Sequence, residues 1–434
     1  MTGMTSVSKA RVWPTLDAAL FVTALLIYAS VVPLGLARVE AAPQVTAAIA
    51  LDTSAGAAPL AVLAAHVARY LPLGDQPMRA NLVSAIFCAL AVALLGRLCV
   101  RILVLLRPSP NARQYEREFV HEPIAAAACA LAAGLSFSTF DLATTGGTAA
   151  ATLLLLAAGL GVGLTLLRDC TSPAAGWALA ALAGLSTGVD AVAGPLLWPL
   201  FIGFSIWALR LRARWPLMAP LVFVAASGAS ALAGVACSDI PATLDGVFAG
   251  FGKVGAHLGS GLWLTTVELA DEVGVIGGLL AMIGLVVLGV RGTLVAAWLM
   301  LVLLSSLLFA RPSETSSGAM GLAAAALPLA IAVICTFAVA GLVHVAGRLG
   351  RARMAAVLAL AVMVVLSPAL DGGVGRWGRS ALLPMRLLDH ALGRVGPRSV
   401  VDPGTDEMEG LFRLAHAMGL RPDLVVSRAA GKPR

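Results

Sequence analysis

The chain has 434 residues, of which 59% are hydrophobic and only 12% are charged, and its formal net charge is +7. A soluble domain carries about 25% charged residues, so a deficit along the whole chain excludes an ordinary soluble protein and indicates a polytopic membrane protein. The positive charge lies between apolar runs rather than on a soluble domain, so no nucleic-acid partner is expected.

The apolar runs predict an all-α membrane domain over residues 1–370, because a bilayer core needs about 20 apolar residues per helix. The first run lacks a small-x-small cleavage site and is read as a retained helix rather than a signal peptide. By length, about eleven transmembrane helices are expected, at residues 16–36, 82–106, 122–138, 146–167, 175–190, 192–209, 216–236, 273–290, 293–310, 319–345 and 354–370.

Arginine and lysine favour one set of connections between these runs. If the N-terminus is cytoplasmic, every cytoplasmic connection carries at least one Arg or Lys, whereas the short outer turns at 139–145 and near Asp190 carry none. The positive-inside rule describes this bias. It predicts a multi-pass protein of the bacterial inner membrane with a cytoplasmic N-terminus and a periplasmic C-terminus.

Three polar segments then face the periplasm. Residues 37–80 form the first large loop, and their Ala, Leu and Val content predicts that the loop is part-helical. Residues 237–272 form a second loop that is rich in glycine and in carboxylates. Residues 371–434 alternate predicted helices and short apolar strands, a small α/β tail that is too short for its own core and is expected to pack on the membrane domain.

The six cysteines are predicted to be small buried residues, because most lie within apolar runs and Cys is among the most buried residue types. None belongs to a C-x-x-C pair, so neither a disulfide framework nor a zinc site is expected. They are Cys88, Cys99, Cys129, Cys170, Cys237 and Cys335.

Several short motifs resemble one membrane-protein family. Residues 71–74 (Leu-Pro-Leu-Gly) and 79–85 (Arg-Ala-Asn-Leu-Val-Ser-Ala) are similar to the end of the first outer loop and the start of the second helix in bacterial protein O-mannosyltransferase-like proteins of the GT-C superfamily. Pro59-Leu60 resembles the end of its His-Pro-Pro-Gly-x-Pro-Leu element. Residues 184–188 (Gly-Leu-Ser-Thr-Gly) and 421–426 (Arg-Pro-Asp-Leu-Val-Val) resemble two further elements.

The resemblance implies a GT-C-like bundle. Its implied activity is the inverting transfer of a sugar from a polyprenyl-phosphate donor to a protein or glycan acceptor, at a membrane face and without a cofactor. The sequence departs from the family in its polar motifs. An Asp-x-x-Glu pair of the first loop aligns with Ala41 and Gln44, and an Asn-His pair aligns with Val189 and Asp190.

Two carboxylates are candidates for the general base that such a transfer requires. Glu40 lies next to the aligned acidic position, and its alternative role is a solvated charge near Arg38. Asp52 could act as a base or a metal ligand, or it could cap the helix that is expected to begin near Ala57. A divalent metal is possible, but no cluster of ligands supports one.

Five further residues are candidates for substrate binding. Arg79, close to Asn81, could hold a phosphate with two hydrogen bonds. Alternatively, Arg79 is an interfacial arginine and Asn81 caps the second membrane helix. Asp190 near the end of a span is either a functional carboxylate or one that reaches water. His66 and His257 lie on outer segments, where two unlinked histidines are weak support for a ligand site.

Three functions therefore compete. The first is a membrane glycosyltransferase of GT-C type, and the second is an inactive relative that binds a lipid carrier or scaffolds an envelope-glycan assembly. The third is a transporter, which predicts helices broken within the membrane and an inverted repeat. No internal repeat is found in the sequence.

Overall fold

A computed structural model of the chain describes residues 5–32, 42–51, 59–105, 121–144, 149–189, 193–236, 260–309, 320–348, 357, 383–395, 400–401, 406–423 and 425–426. Most of these residues are helical. The helices of the first half are α1 (Thr5–Val31), α2 (Ala42–Ala50), α3 (Pro59–Val67), α4 (Gln76–Leu105), α5 (His121–Leu135), α6 (Phe137–Thr144), α7 (Ala149–Arg168), α8 (Pro173–Val189) and α9 (Ala193–Arg210).

The second half continues in the same way, with two short strands near its end. Its elements are α10 (Trp215–Ala236), α11 (Ser260–Arg291), α12 (Thr293–Phe309), α13 (Met320–Arg348), α14 (Leu383–Arg394), β1 (Val400–Val401), α15 (Asp406–Ala417) and β2 (Val425–Val426). The two strands pair in parallel, but each has only two residues. The α/β character of the tail therefore stays a prediction.

Within the described residues, four helices are long and apolar enough to cross a membrane on their own, which is consistent with a multi-pass membrane protein. They are Gln76–Val104, Ala149–Arg168, Leu269–Arg291 and Ala325–Val345. The pair α5 and α6, bent by 63° at a short break, makes a fifth if it counts as one span.

The structure does not support the predicted count of about eleven spans. Five other helices contain shorter described apolar stretches of 10–17 residues each, at residues 15–31, 173–186, 197–210, 215–230 and 293–307. That is less than the roughly 20 residues needed to cross a bilayer core. The eleventh predicted span, 354–370, lies outside the described residues except for Val357.

Contacts between helices define two opposite ends of the bundle. Arg97 in the last third of α4 pairs with Asp17 midway along α1 at 3.3 Å, and Tyr28 late in α1 donates to the carbonyl of Gly134 late in α5 at 2.6 Å. One end of the bundle carries α2, α3 and the turn before α4, and we call it the loop end. The opposite end, where Arg101, Arg168, Arg210 and Arg291 lie, we call the arginine end.

Small residues let α8 and α10 approach closely. Gly184 and Gly188 of α8 face α10, and a Cβ on Gly184 would lie 2.5 Å from the carbonyl oxygen of Phe223. A Cβ on Gly188 would lie 2.6 Å from the Cβ of Ser230. Packing of this kind drives helix association where lipid supplies no hydrophobic force. The glycines of the 184–188 motif therefore have a packing role.

The tightest crossing joins α11 to α13. A Cβ on Gly284 would lie 1.8 Å from the carbonyl oxygen of Phe337, and one on Gly341 would lie 2.0 Å from that of Leu280. The two backbones touch reciprocally, a geometry that permits weak Cα–H···O contacts. Only glycine fits at either position without moving a helix.

The tail packs on the segment that precedes α4. A small apolar cluster joins Val45 of α2 and Ala80 of α4 to side chains of α14 and α15, namely Leu388, Leu411, Leu414 and Ala415. All six of these residues are buried. This cluster holds α2 over the loop end of the bundle.

The glycine crossing makes a testable prediction. Gly284→Ala should lower the free energy of unfolding by about 1–3 kcal/mol, because the added methyl group overpacks the crossing. Unfolding by SDS titration in mixed micelles measures the change. Gly289→Ala on the same helix is the matched control, because a Cβ there meets nothing within 4 Å. Equal effects of the two substitutions would contradict the crossing.

Candidate site at the loop end

Buried polar side chains gather at the loop end. Aromatic and sulfur-containing side chains aside, the described residues have only two buried polar or charged side chains elsewhere, Glu122 at the arginine end and Thr336 midway along α13. Those at the loop end are His66, Asn81, Ser84, Ser136, Thr139, Thr152, Ser186, Ser230 and Ser306. A buried polar group is tolerated when it is hydrogen-bonded, so this end is the part of the bundle built for polar contacts.

His66 ties the two short helices of the first loop together. It lies near the end of α3, it is buried, and its Nδ1 is 2.7 Å from the carbonyl oxygen of Ala48 in α2. A carbonyl can only accept, so Nδ1 carries the proton in this bond and Nε2 is the remaining ring nitrogen. The bond gives His66 a structural role between α2 and α3.

Arg79 closes the turn between α3 and α4. Its Nε donates to the carbonyl of Leu73 at 2.7 Å, one Nη donates to that of Gly74 at 2.9 Å, and the other Nη donates to that of Arg69. A guanidinium has five N–H groups, so two are left without a partner among the described residues. Phosphate binding by Arg79 stays a prediction that can use only those two.

Asp75, rather than Asn81, caps α4. The helix begins at Gln76, and the carboxylate of Asp75 accepts from the backbone N–H of Met78 at 3.0 Å. This is the usual side-chain bond of an N-cap residue. Asn81 lies in the second turn and is fully buried against the bundle. The alternative that Asn81 caps the helix is therefore wrong.

The other predicted site residues cannot be placed against these. Glu40, Asp52, Asp190 and His257 lie outside the described residues. Their roles as base, metal ligand or substrate contact stay predictions. The structure brings together His66, Arg79 and Asn81 within one unit formed by α2, α3 and the start of α4.

A second polar feature lies at the break between α5 and α6. Ser136 interrupts the helix and acts as the N-cap of α6, because its Oγ accepts from the backbone N–H of Thr139 at 3.4 Å. Its Oγ also lies 2.8 Å from the carbonyl oxygen of Ala133, at the end of α5. One serine therefore binds the loose backbone groups on both sides of the break.

Glu272 of α11 completes this cap from across the bundle. One carboxylate oxygen accepts from the backbone N–H of Ser138 at 3.1 Å, and the other accepts from the Ser138 hydroxyl. A carboxylate at a helix N-terminus also interacts favourably with the helix dipole. Ser136 and Glu272 together thus bind the backbone N–H groups of Ser138 and Thr139 in the first turn of α6.

Both broken helices change direction at a similar depth. Both depths are measured from the arginine end. The break at Ser136 follows α5, whose 15 residues span about 22 Å from that end at 1.5 Å per residue. In α11 the break is at Gly274, with φ 67° and ψ 168°, roughly 26 Å from Arg291 by the same rise. A hydrocarbon core is about 30 Å thick. The Ser138–Glu272 contact therefore lies close to the boundary of the core on the loop side.

The Arg-Pro-Asp motif near the C-terminus is a structural clamp. Arg421 makes two hydrogen bonds with the carboxylate of Asp423, at 2.9 and 3.1 Å. Its Nη1 also donates to the carbonyls of Leu392 and Val395 at the end of α14, at 3.2 Å each. The bonds to Asp423 raise the pKa of the Arg421 guanidinium, so this charge persists at every physiological pH.

The described residues offer no metal centre and no reactive thiol. No group of three or more His, Cys, Asp or Glu side chains is placed to hold a metal ion in that part of the chain. The cysteines described there are free and buried, which confirms the sequence prediction for Cys88, Cys99, Cys129, Cys170 and Cys335.

Comparison of the chain with family models, with curated proteins and with solved structures gave no match. The resemblance to GT-C glycosyltransferases therefore stays a prediction that is based on short motifs.

Sequence reasoning missed the Ser138–Glu272 contact. It placed residues 139–145 in a short outer turn, and it placed Glu272 at the end of the second loop. The available signal was the run Ser-Phe-Ser-Thr at 136–139, which interrupts an otherwise apolar segment with three residues that cap helices well. The partner, 134 residues away, has no signal in a single sequence.

This contact predicts energetic coupling. Ser138→Ala and Glu272→Gln should each destabilise the protein, and a double-mutant cycle should give a coupling energy of about 1–2 kcal/mol, because the hydrogen bond is made to a charged group. Unfolding by SDS titration again supplies the free energies. Asp271→Asn paired with Ser138→Ala is the control, since Asp271 is the exposed neighbour of Glu272. Equal coupling in both cycles would contradict the contact.

Proposed function

We propose that this chain is a membrane protein of GT-C glycosyltransferase type that takes a sugar from a polyprenyl-phosphate carrier at the loop end. The acceptor would be a protein or a glycan. The observation that supports this most is the polarity of the bundle: short helices cover the loop end, and the buried polar side chains collect beneath them. A lipid-linked donor needs such a site, because its sugar phosphate is polar while its chain stays in the bilayer.

The proposal assigns the chemistry to the first loop. Glu40 would take the proton from the acceptor hydroxyl, with Asp52 as the second candidate base. The leaving group is a polyprenyl phosphate, whose developing charge needs hydrogen-bond donors. The two N–H groups of Arg79 that are not bonded to the turn are candidate donors, and Asp190 and His257 are candidate substrate contacts.

The proposal also carries a membrane topology. The five shorter apolar helices and the segment 354–370, which lies outside the described residues except for Val357, would be further crossings. With the four long helices and the bent pair α5–α6, they would make up the eleven spans of the sequence prediction. The arginine end would face the cytoplasm and the loop end the periplasm of a bacterial inner membrane, as the positive-inside rule requires.

A specific observation favours the inactive relative as a second candidate. Arg79 and His66 make hydrogen bonds to backbone carbonyls, so the described candidate residues maintain the loop rather than line a site. The family's acidic and histidine motifs are also altered in this sequence. Such a protein would bind the lipid carrier with the same covered end and transfer nothing.

The broken helices are the feature that a transporter would share. Their breaks, however, lie near the loop-side boundary of the core rather than at its midplane, and the sequence contains no inverted repeat. We therefore rank the transporter third.

Assays of the full chain in lipid nanodiscs separate the candidates. The proposal predicts that polyprenyl-phosphate hexoses are consumed in the presence of peptide or glycan acceptors, and that Glu40→Gln slows this at least roughly 100-fold because a general base is lost. Asp169→Asn, an exposed carboxylate at the arginine end, is the control and should leave the rate unchanged.

Each outcome decides between the proposals. If the Glu40→Gln variant still consumes the polyprenyl-phosphate hexose at the wild-type rate, Glu40 is not the base. Asp52 is then substituted and assayed in the same way. Saturable donor binding without consumption supports the inactive relative. Neither binding nor consumption with any polyprenyl-phosphate hexose would overturn both proposals.

A further inference from the structure

Two arginines lie on the membrane-facing stripe of α4, near the arginine end. Arg97 and Arg101 are one helical turn apart, and both are exposed. The same stripe carries the exposed apolar side chains of Leu90 and Val104, because positions 90, 97, 101 and 104 fall on one face of a helix. Exposed apolar residues on a candidate span face acyl chains, so the two guanidinium groups lie among lipid.

These charges sit inside the candidate span. It ends at Val104, so Arg97 lies about 10 Å and Arg101 about 5 Å from its end at 1.5 Å per residue. Charged groups at such depth are expensive unless they are paired or reach the interface. Arginine side chains do the latter by extending along the helix toward the headgroups.

Arg97 and Arg101 are each held in place by one or two contacts, and most of their guanidinium N–H groups take no part in those contacts. Arg97 pairs through Nε with Asp17 at 3.3 Å. Arg101 uses one Nη for the hydroxyl of Thr165 at 2.9 Å and the carbonyl of Gly161 at 3.3 Å. Within the described residues, the other N–H groups of both guanidiniums have no hydrogen bond.

Asp17 neutralises only one of the two charges. Like charges at positions i and i+4 of a helix repel each other, so the pair favours an anion that both guanidiniums can contact. Beside them α7 presents Gly161, which has no side chain, and a Cβ built there would meet nothing within 4 Å, so the surface of α7 is open at this position. Two arginine forks match the oxygens of a phosphate.

We propose that Arg97 and Arg101 form a binding site for the phosphate of an anionic phospholipid at the arginine end. The phosphodiester would be held between the two guanidiniums, and its acyl chains would run along α4 past Leu90. Basic sites between membrane helices bind anionic headgroups by this chemistry. The apolar stripe favours a lipid over a free phosphate, because acyl chains can pack against the exposed Leu90 whereas a phosphate ion gains nothing from an apolar contact.

The test measures binding of short-chain phosphatidylglycerol to the full chain in neutral detergent by thermophoresis. Arg101→Gln and the pair Arg97→Gln with Arg101→Gln should raise the Kd at least tenfold. The matched control is Arg168→Gln with Arg210→Gln, which removes the same charge from exposed positions at the same end and should change the Kd less than threefold. Short-chain phosphatidylcholine and glycerol phosphate are the ligand controls, and both should bind at least tenfold more weakly.

Arg101→Gln leaves the Asp17–Arg97 pair intact, so its fold is expected to survive. Arg101→Lys keeps the charge as well and should weaken phosphatidylglycerol binding severalfold, because lysine lacks the fork. Equal losses in the two Gln pairs would mean unspecific attraction and would overturn the proposal. So would wild-type binding by both Arg101 variants, or glycerol phosphate binding as tightly as phosphatidylglycerol.

Discussion

The structure depends on one constraint: a helix that faces lipid must satisfy its backbone internally and move its polar side chains to the ends. The bundle obeys this with two unlike ends. Exposed arginines mark one end, whereas buried hydroxyls, an amide and an imidazole collect at the other. Between them the core is built from small and apolar side chains, with Thr336 bonded to its own helix at the carbonyl of Ala332.

The breaks in α5–α6 and α11 show how irregular backbone is tolerated at one end of such a bundle. Each break frees backbone groups, which cost several kcal/mol apiece in hydrocarbon if left unpaired. Ser136 and Glu272 bind the groups freed at the first break, and glycine allows the backbone angles of the second. A single carboxylate thus joins two irregular segments that are 134 residues apart in the sequence.

Hydrophobic periodicity and length predicted much of this fold. Apolar helices lie at the predicted segments wherever those segments fall in the described residues, and the first loop is part-helical as expected. Local capping was harder: the sequence allowed Asn81 to begin α4, but the carboxylate of Asp75 bonds the first turn instead. The predicted number of crossings is supported only in part, because the described apolar stretches of five helices are only 10–17 residues long.

The site could be predicted less well, for a physical reason. Motifs that resembled a functional family have packing or capping roles here: Gly184 and Gly188 fit against α10, Arg79 closes a turn, and Arg421 clamps α14. Residues with such roles can persist whether or not a protein is active, so they carry information about the scaffold. Contacts across the bundle, such as Ser138 with Glu272, depend on tertiary packing that one sequence does not encode locally.

The most direct measurement for this account is thiol labelling from each side of the membrane. Single cysteines would be placed at Leu73 in the loop-end turn and at Thr171 in the arginine-end turn, both exposed, in a background with Cys237 replaced by alanine. The account predicts that an impermeant reagent labels Leu73→Cys only from the periplasmic side and Thr171→Cys only from the cytoplasmic side. Labelling of both cysteines from the same side would contradict a bundle that crosses the membrane with these two ends.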